Sequence, residues 1–197
     1  AWISWDTFLE RNGGSLGARL QRKIKNAVKQ TEGIVAFYDD EPILAVYHST
    51  SGGRTENSEH YWSEALPYLR SAEDPYGTNS PSHYSTATIQ LSNLAQVLEV
   101  KNVKNFKVVE RYPSGRVKTV EVDEKWFSGR EIRQRLSLRS TWFTAEILGN
   151  EMVFSVWGYG HGVGMSQYGA QGMAVAGYGY ADILQYYYQG IELKEAY

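Results

Sequence analysis

Residues 142–157, Trp142-Phe143-Thr144-Ala145-Glu146-Ile147-Leu148-Gly149-Asn150-Glu151-Met152-Val153-Phe154-Ser155-Val156-Trp157, decide the fold class. Two strand-forming runs, Trp142 to Leu148 and Met152 to Trp157, flank Gly149-Asn150, a pair that accepts the positive φ of a tight hairpin turn. The same chemistry recurs upstream. Phe106 to Tyr112 and Val117 to Val122 flank Pro113-Ser114-Gly115, with Pro and Gly where a type I turn favours them. Ile34 to Tyr38 and Ile43 to Tyr47 flank Asp39-Asp40-Glu41-Pro42, in which Asp and Pro set turn dihedrals.

Helix signals lie between the hairpins. Leu16, Leu20, Ile24 and Val28 recur every four residues through a Lys/Arg-rich stretch, with Gly33 just beyond. Ser92 is placed to cap a short helix holding Leu94, Val97 and Leu98. Ser128-Gly129-Arg130-Glu131 is a capping box opening a helix through Ile132 and Leu136, and a last helix around Ile183 to Tyr188 stops at Gly190. From Pro67 to Ser82, prolines with Ser, Asp and Gly mark a surface connection. Hairpins and helices mixed without βαβ alternation predict an α+β fold, a single compact domain over residues 1–197 built of antiparallel hairpins with interspersed short helices.

Composition narrows the function classes. The 197 residues carry a net charge of -2 and 42% hydrophobic residues, which gives no electrostatic case for nucleic acid as a partner. No apolar run approaches the roughly 20 residues of a membrane span. With no cysteine, disulfides and thiolate chemistry are excluded. His48, His60, His83 and His161 show no tight ligand spacing, so neither a metal nor another cofactor is expected within the chain. Aromatic residues reach 14%, with 15 tyrosines; they suit a β-rich core first and a carbohydrate-stacking surface second. The opening Ala1-Trp2-Ile3-Ser4-Trp5 has no methionine, basic n-region or apolar h-region, and reads as the start of a fragment or processed product rather than a signal peptide.

Two loops combine histidine, hydroxyls and glycine: His48-Ser49-Thr50-Ser51-Gly52-Gly53-Arg54-Thr55 at a strand exit, and Gly158-Tyr159-Gly160-His161-Gly162-Val163-Gly164-Met165-Ser166 between a strand and a helix. Such loops either supply backbone N–H groups and a polarising histidine to a reacting centre or are tight turns. Ser166 lacks the G-x-S-x-G spacing of a nucleophile elbow, a His48–His161–Ser166 triad has no orienting carboxylate fixed by spacing, and the glycines do not match a dinucleotide loop. Glu56, Glu59 and Glu64, near Trp62, are candidates for a glycosidase acid. Their competing role is that of solvated loop and capping carboxylates.

Several motifs then resemble, in order, the stage II sporulation protein D family: His48 through Glu56, Trp62, Pro67-Tyr68-Leu69, Leu136-Ser137-Leu138-Arg139-Ser140-Thr141 followed by Phe143, and Gly160-His161-Gly162-Val163-Gly164-Met165-Ser166-Gln167-Tyr168-Gly169-Ala170. The resemblance implies a bacterial cell-wall lytic transglycosylase, extracytoplasmic and anchored in the membrane by an N-terminal segment absent here. It would degrade peptide-free peptidoglycan glycan strands during engulfment in sporulation. A related branch comprises amidase enhancers, so a cell-wall amidase is an implied partner and a non-catalytic glycan-binding module the alternative. In the implied mechanism a glutamic acid protonates the oxygen between N-acetylmuramic acid and N-acetylglucosamine, and the muramyl 6-hydroxyl closes on the anomeric carbon to leave a 1,6-anhydro end.

The family's glutamate lies in a Glu-Met-Pro segment upstream of the matching part. No Glu-Met-Pro occurs in these residues, so no catalytic residue is assigned within them. A Cys/His zinc motif found in some relatives would likewise lie upstream. What carries over is a supporting role: His48, Ser49, Thr50, Ser51, Gly52, Gly53 and Thr55, with His161, Gly162, Gly164, Ser166, Gln167 and Tyr168, would line the groove and orient sugar hydroxyls and N-acetyl groups. Trp62 and Tyr159 are stacking candidates, with the core as the preferred fate for Trp62.

Overall fold

A computed structural model describes residues 3–196; the opening Ala1-Trp2 and Tyr197 lie outside the described residues. The hairpin that anchors the prediction forms as read. β8 (Phe143–Leu148) and β9 (Glu151–Trp157) pair antiparallel with Leu148 opposite Glu151, leaving Gly149 (φ 62°) and Asn150 as a two-residue turn. β4 (Tyr84–Gln90) adds to the other edge of β9. Along β9 burial alternates, and Met152, Phe154 and Val156 point inward. The second hairpin also forms, from β5 (Phe106–Arg111) and β6 (Val117–Val122), and an unforeseen β7 (Lys125–Ser128) completes its sheet.

Both sheets, with α3 (Leu91–Leu98) and α4 (Gly129–Arg135), close one core of Leu94, Leu98, Val120, Ile132, Phe143 and Phe154. Ser128 and Glu131 make the reciprocal capping box that the sequence announces. Ser92 does not cap α3: the helix starts one residue before it, and Gln90 holds the N-cap position without a side-chain bond.

Residues 84–157 thus form one lobe, and the chain on either side of it forms a second. There β1 (Ile34–Tyr38) pairs with β2, which is only Glu41–Pro42, because Asp39 (φ 53°) and Asp40 (φ 60°) turn the chain early. The run Ile43 to Tyr47 is therefore not a continuous strand. The other neighbour of β1 is β11 (Glu192–Glu195), a strand that no local pattern in the sequence announces. α5 (Gln167–Val175) and α6 (Tyr180–Tyr187) pack here around Leu69, Val163, Met173, Tyr187 and Tyr188. The aromatic-rich C-terminal stretch is divided: Tyr187 and Tyr188 are buried, whereas Tyr159, Tyr168, Tyr178 and Tyr180 are exposed.

α1 (Trp5–Asn12), capped by Ser4, and α2 (Gly14–Gln30) form a helical hairpin in which Gly17 lets α2 approach Leu9. The apolar stripe of α2 is not a core face: Leu16, Ile24 and Val28 are 47%, 41% and 64% exposed. Among the described residues no helix is long and apolar enough to cross a membrane.

Candidate functional site

The two glycine- and histidine-containing loops interlock where the lobes meet. β3 (Tyr47–His48) runs parallel to β10 (Met165–Ser166), with His48 opposite Ser166. Thr50 and Tyr159 exchange both backbone hydrogen bonds, at 3.0 and 2.8 Å, and Glu56 N donates to Gly162 O at 2.8 Å. So close a crossing leaves no space for side chains. At Gly160 (φ 121°) a Cβ would sit 2.7 Å from that of His48, and at Gly162 (φ 85°) it would sit on the Arg116 guanidinium.

The histidines of the two loops are neighbours, with ring centroids 5.6 Å apart. His48 is buried, and its Nδ1 lies 3.1 Å from Val163 O. A carbonyl only accepts, so Nδ1 carries the proton and Nε2 presents a lone pair with no partner among the described residues. Burial, reinforced by the Arg116 charge, pushes the His48 pKa well below the ordinary imidazole value, and the ring stays neutral. His161 has the opposite tautomer, since its Nδ1 accepts from Val163 N at 3.1 Å. Its pKa is also lowered by burial, and its ring lies 5.4 Å from Tyr61 and 5.3 Å from Trp62.

Most of the remaining predicted residues face inward. The Thr50 hydroxyl meets Ser80 Oγ at 2.7 Å, and Ser51 donates to Asp74 at 2.6 Å. The Thr55 hydroxyl accepts from Ala72 N at 2.8 Å, and Ser166 caps α5 by accepting from Gly169 N at 3.1 Å. These hydroxyls are engaged within the protein, so they shape the site and do not reach into it. Gly52, Gly162 and Gly164 are likewise buried. Ser49, Gly53 and His161 are partly open, and Gln167 and Tyr168 are exposed. Trp62 is not a core residue: it is 36% exposed beside His161, and Tyr159 is 48% exposed.

A cavity of about 240 Å³ opens at this junction, lined by Glu56, His60, Trp62, Tyr112, Arg130 and His161 among others. At its inner edge Glu56 is 2% exposed, and both its oxygens face donors: Ser114 Oγ at 2.5 Å on one, Asn57 N and His60 Nδ1 at 2.9 Å each on the other. His60 stacks on Tyr112 with ring centroids 4.0 Å apart. Arg116 is fully buried, donates at 2.8 Å to both Arg54 O and Ser51 O, and has its pKa pushed down to about 10 by burial against the opposing pull of Glu56. Ser114 and Arg116 come from the β5–β6 turn, so this hairpin fastens one lobe to the loop of the other.

Glu59 is gripped by Arg70 at 2.8 and 2.6 Å, which lowers its pKa to about 2, and Glu64 is exposed. Glu59 is thereby held ionised, and Glu64 does not line the cavity. Ser114, Arg116, Tyr112 and Arg130 are the site residues that sequence reasoning missed. The signal was present in Pro113-Ser114-Gly115-Arg116, which reads as a turn and gives no sign that its polar side chains reach the 51–56 loop.

The sequence that builds this junction has relatives. A family model described as a domain of unknown function (DUF8618) matches residues 81–164, which take in the inserted lobe and most of the glycine loop. The chain is 40% identical over 191 residues to stage II sporulation protein D of Bacillus amyloliquefaciens and 39% identical to that of Bacillus subtilis, covering 95% of this chain and 56% of each relative. It is 29% identical to the amidase enhancer of Bacillus subtilis, covering 85% of this chain and 32% of that protein. The chain is thus similar over nearly its whole length to stage II sporulation protein D, and it spans about half the length of the curated relatives it matches.

Proposed function

We propose that these residues form the glycan-holding part of a sporulation cell-wall protein, extracytoplasmic in the complete protein, whose activity is lytic cleavage of peptide-free peptidoglycan. The single observation that carries this reading is the junction itself. His161, held neutral between Tyr61 and Trp62, borders a cavity that also presents His60 and Arg130. Aromatic faces with a few directed polar groups are what a sugar ring needs, since its apolar face stacks and its hydroxyls take the polar partners. General acid catalysis requires a carboxylic acid that keeps its proton. Glu56 has both oxygens facing donors inside the protein and Glu59 is ion-paired, so the acid of this reading comes from the Glu-Met-Pro segment that the family resemblance places upstream.

The second reading is a non-catalytic module that binds glycan and stimulates an N-acetylmuramoyl-L-alanine amidase, favoured by the likeness to the amidase enhancer. The test is to incubate peptide-free glycan strands with this chain and with a version extended upstream through Glu-Met-Pro, and to look for 1,6-anhydro ends by mass spectrometry. Cleavage by the extended protein alone supports the first reading. Cleavage by both would put the acid within these residues, with Glu56 the first to substitute. Cleavage by neither, with acceleration of an added amidase, would establish the second.

A further inference from the structure

Next to the junction cavity, on the far side of Tyr61, lies an open groove of about 570 Å³ lined by Tyr61, Arg133, Gln134, Ser137, Arg139 and Tyr159, with Leu138 in its wall. Its charge is of one sign: two arginines line it, and no carboxylate does. A third arginine, Arg130, stands at the shared edge, its guanidinium 4.6 Å from the centre of the Tyr61 ring and donating to Tyr61 O at 2.7 Å.

Five of the other cations of this protein are ion-paired. Arg54, Arg70, Lys118, Arg135 and Lys194 each have a carboxylate within 4 Å. Among the described residues Arg130, Arg133 and Arg139 have none. Arg133 makes only 3.3 Å contacts with Leu138 O and Tyr61 Oη, and Arg139 a 3.3 Å contact with Ser82 Oγ while lying 5.8 Å from the Tyr159 ring centre. Each guanidinium therefore has N–H groups left over, that of Arg139 lying over the Tyr159 ring and that of Arg133 tied to the Tyr61 hydroxyl, in a groove that shares Tyr61 with the proposed glycan site. The backbone beneath is held too: Ser137 adopts a left-handed φ of 53°, and Arg139 O accepts from Gly160 N at 3.0 Å, tying the groove to the glycine loop.

We infer that Arg133 and Arg139 recognise the free carboxylate of a sugar in the bound strand, namely the lactyl ether carboxylate of muramic acid from which the stem peptide has been removed. The inference rests on the proposed glycan reading and adds its selectivity. A planar guanidinium fork matches a carboxylate with two parallel hydrogen bonds. When a stem peptide is attached, the same carbon is a neutral amide. The charge that the arginines would meet is gone, and a peptide chain projects into the groove instead. Preference for stripped strands is then set by these arginines, separately from the group that cleaves the bond.

The test is calorimetric titration of this chain with peptide-free glycan strands and with the same strands after their lactyl carboxylates have been converted to primary amides. Amidation is expected to weaken binding about tenfold, the scale of one charge-assisted hydrogen-bonded pair. The double substitution Arg133→Gln, Arg139→Gln is expected to weaken binding of the carboxylate form by the same factor and to leave the amidated form unchanged. Arg139→Gln alone, at an exposed side chain, keeps the test available if the double variant loses its thermal transition, and Arg139→Lys should recover part of the loss. Equal binding of the two strand forms, or a double variant that weakens both alike, would overturn the inference while leaving the glycan reading in place. Binding of neither form would overturn the glycan reading and this inference with it.

Discussion

Substituting Gly162 by alanine tests the claim that the glycine loop is closed down on a rigid buried arginine. Gly162 has φ 85°, and a Cβ there would overlap the Arg116 guanidinium. That group is fully buried and cannot swing aside without giving up its 2.8 Å hydrogen bonds to Arg54 O and Ser51 O. A left-handed backbone conformation costs a non-glycine residue about 1–2 kcal/mol, and overpacking a filled interior adds about 1–3 kcal/mol. Together they give about 2–5 kcal/mol, which for a chain of this size lowers Tm by about 4–20 °C. Gly149 is the internal control: its φ is 62° and nothing lies within 4 Å of its Cβ position, so Gly149→Ala should cost only the backbone contribution. Thermal unfolding followed by circular dichroism on both variants measures the difference. Equal losses for Gly162→Ala and Gly149→Ala would refute the picture of Arg116 as an immovable wall.

Four further outcomes follow from the same geometry. Ser114→Ala removes the 2.5 Å hydrogen bond to buried Glu56 and should cost about 1–3 kcal/mol in denaturant unfolding, because one carboxylate oxygen loses its donor. Tyr187→Phe removes the 2.8 Å donor to buried Asp74 and should cost about 1–3 kcal/mol in the same assay. His48, with its pKa held below the ordinary 6.5, makes the unfolded chain the better proton binder as pH falls below that value. Stability should therefore decline on acidification from pH 6.5 by up to about 1.4 kcal/mol per pH unit, with no contribution from this group above 6.5, and His48→Gln should reduce that slope. Val28→Gln, on the exposed stripe of α2, should change stability by less than about 0.5 kcal/mol, whereas Leu94→Ala in the core should cost about 2–5 kcal/mol.

What the sequence disclosed was mainly local. The Gly149-Asn150 turn and the Ser128–Glu131 capping box are written in neighbouring residues, and each forms where expected. Pairing across long separations was hidden: β11 joins β1 at the other end of the chain, and the β3–β10 pair spans more than a hundred residues. The spacing of Leu16, Leu20, Ile24 and Val28 identified a helix correctly but not its burial, because periodicity reports an apolar stripe and not what lies against it. At the site, the two loops were legible as motifs, and their contact was not. Thr50, Ser51, Thr55 and Ser166 looked like ligand-facing hydroxyls because a hydroxyl that satisfies a buried partner and one that meets a sugar are the same letter. The groove arginines were invisible as a group, since Arg133 and Arg139 acquire meaning only when Tyr61 and Tyr159 fold beside them.

The most direct test of the central claim, that the lobe junction holds glycan, is to map peptide-free strands onto this chain by amide chemical-shift perturbation. Shifts are expected to concentrate at Tyr61, Trp62, Tyr159 and His161 and to continue to Arg133 and Arg139. A saturable response confined to another face, or no response at strand concentrations that saturate a known glycan binder, would contradict that claim.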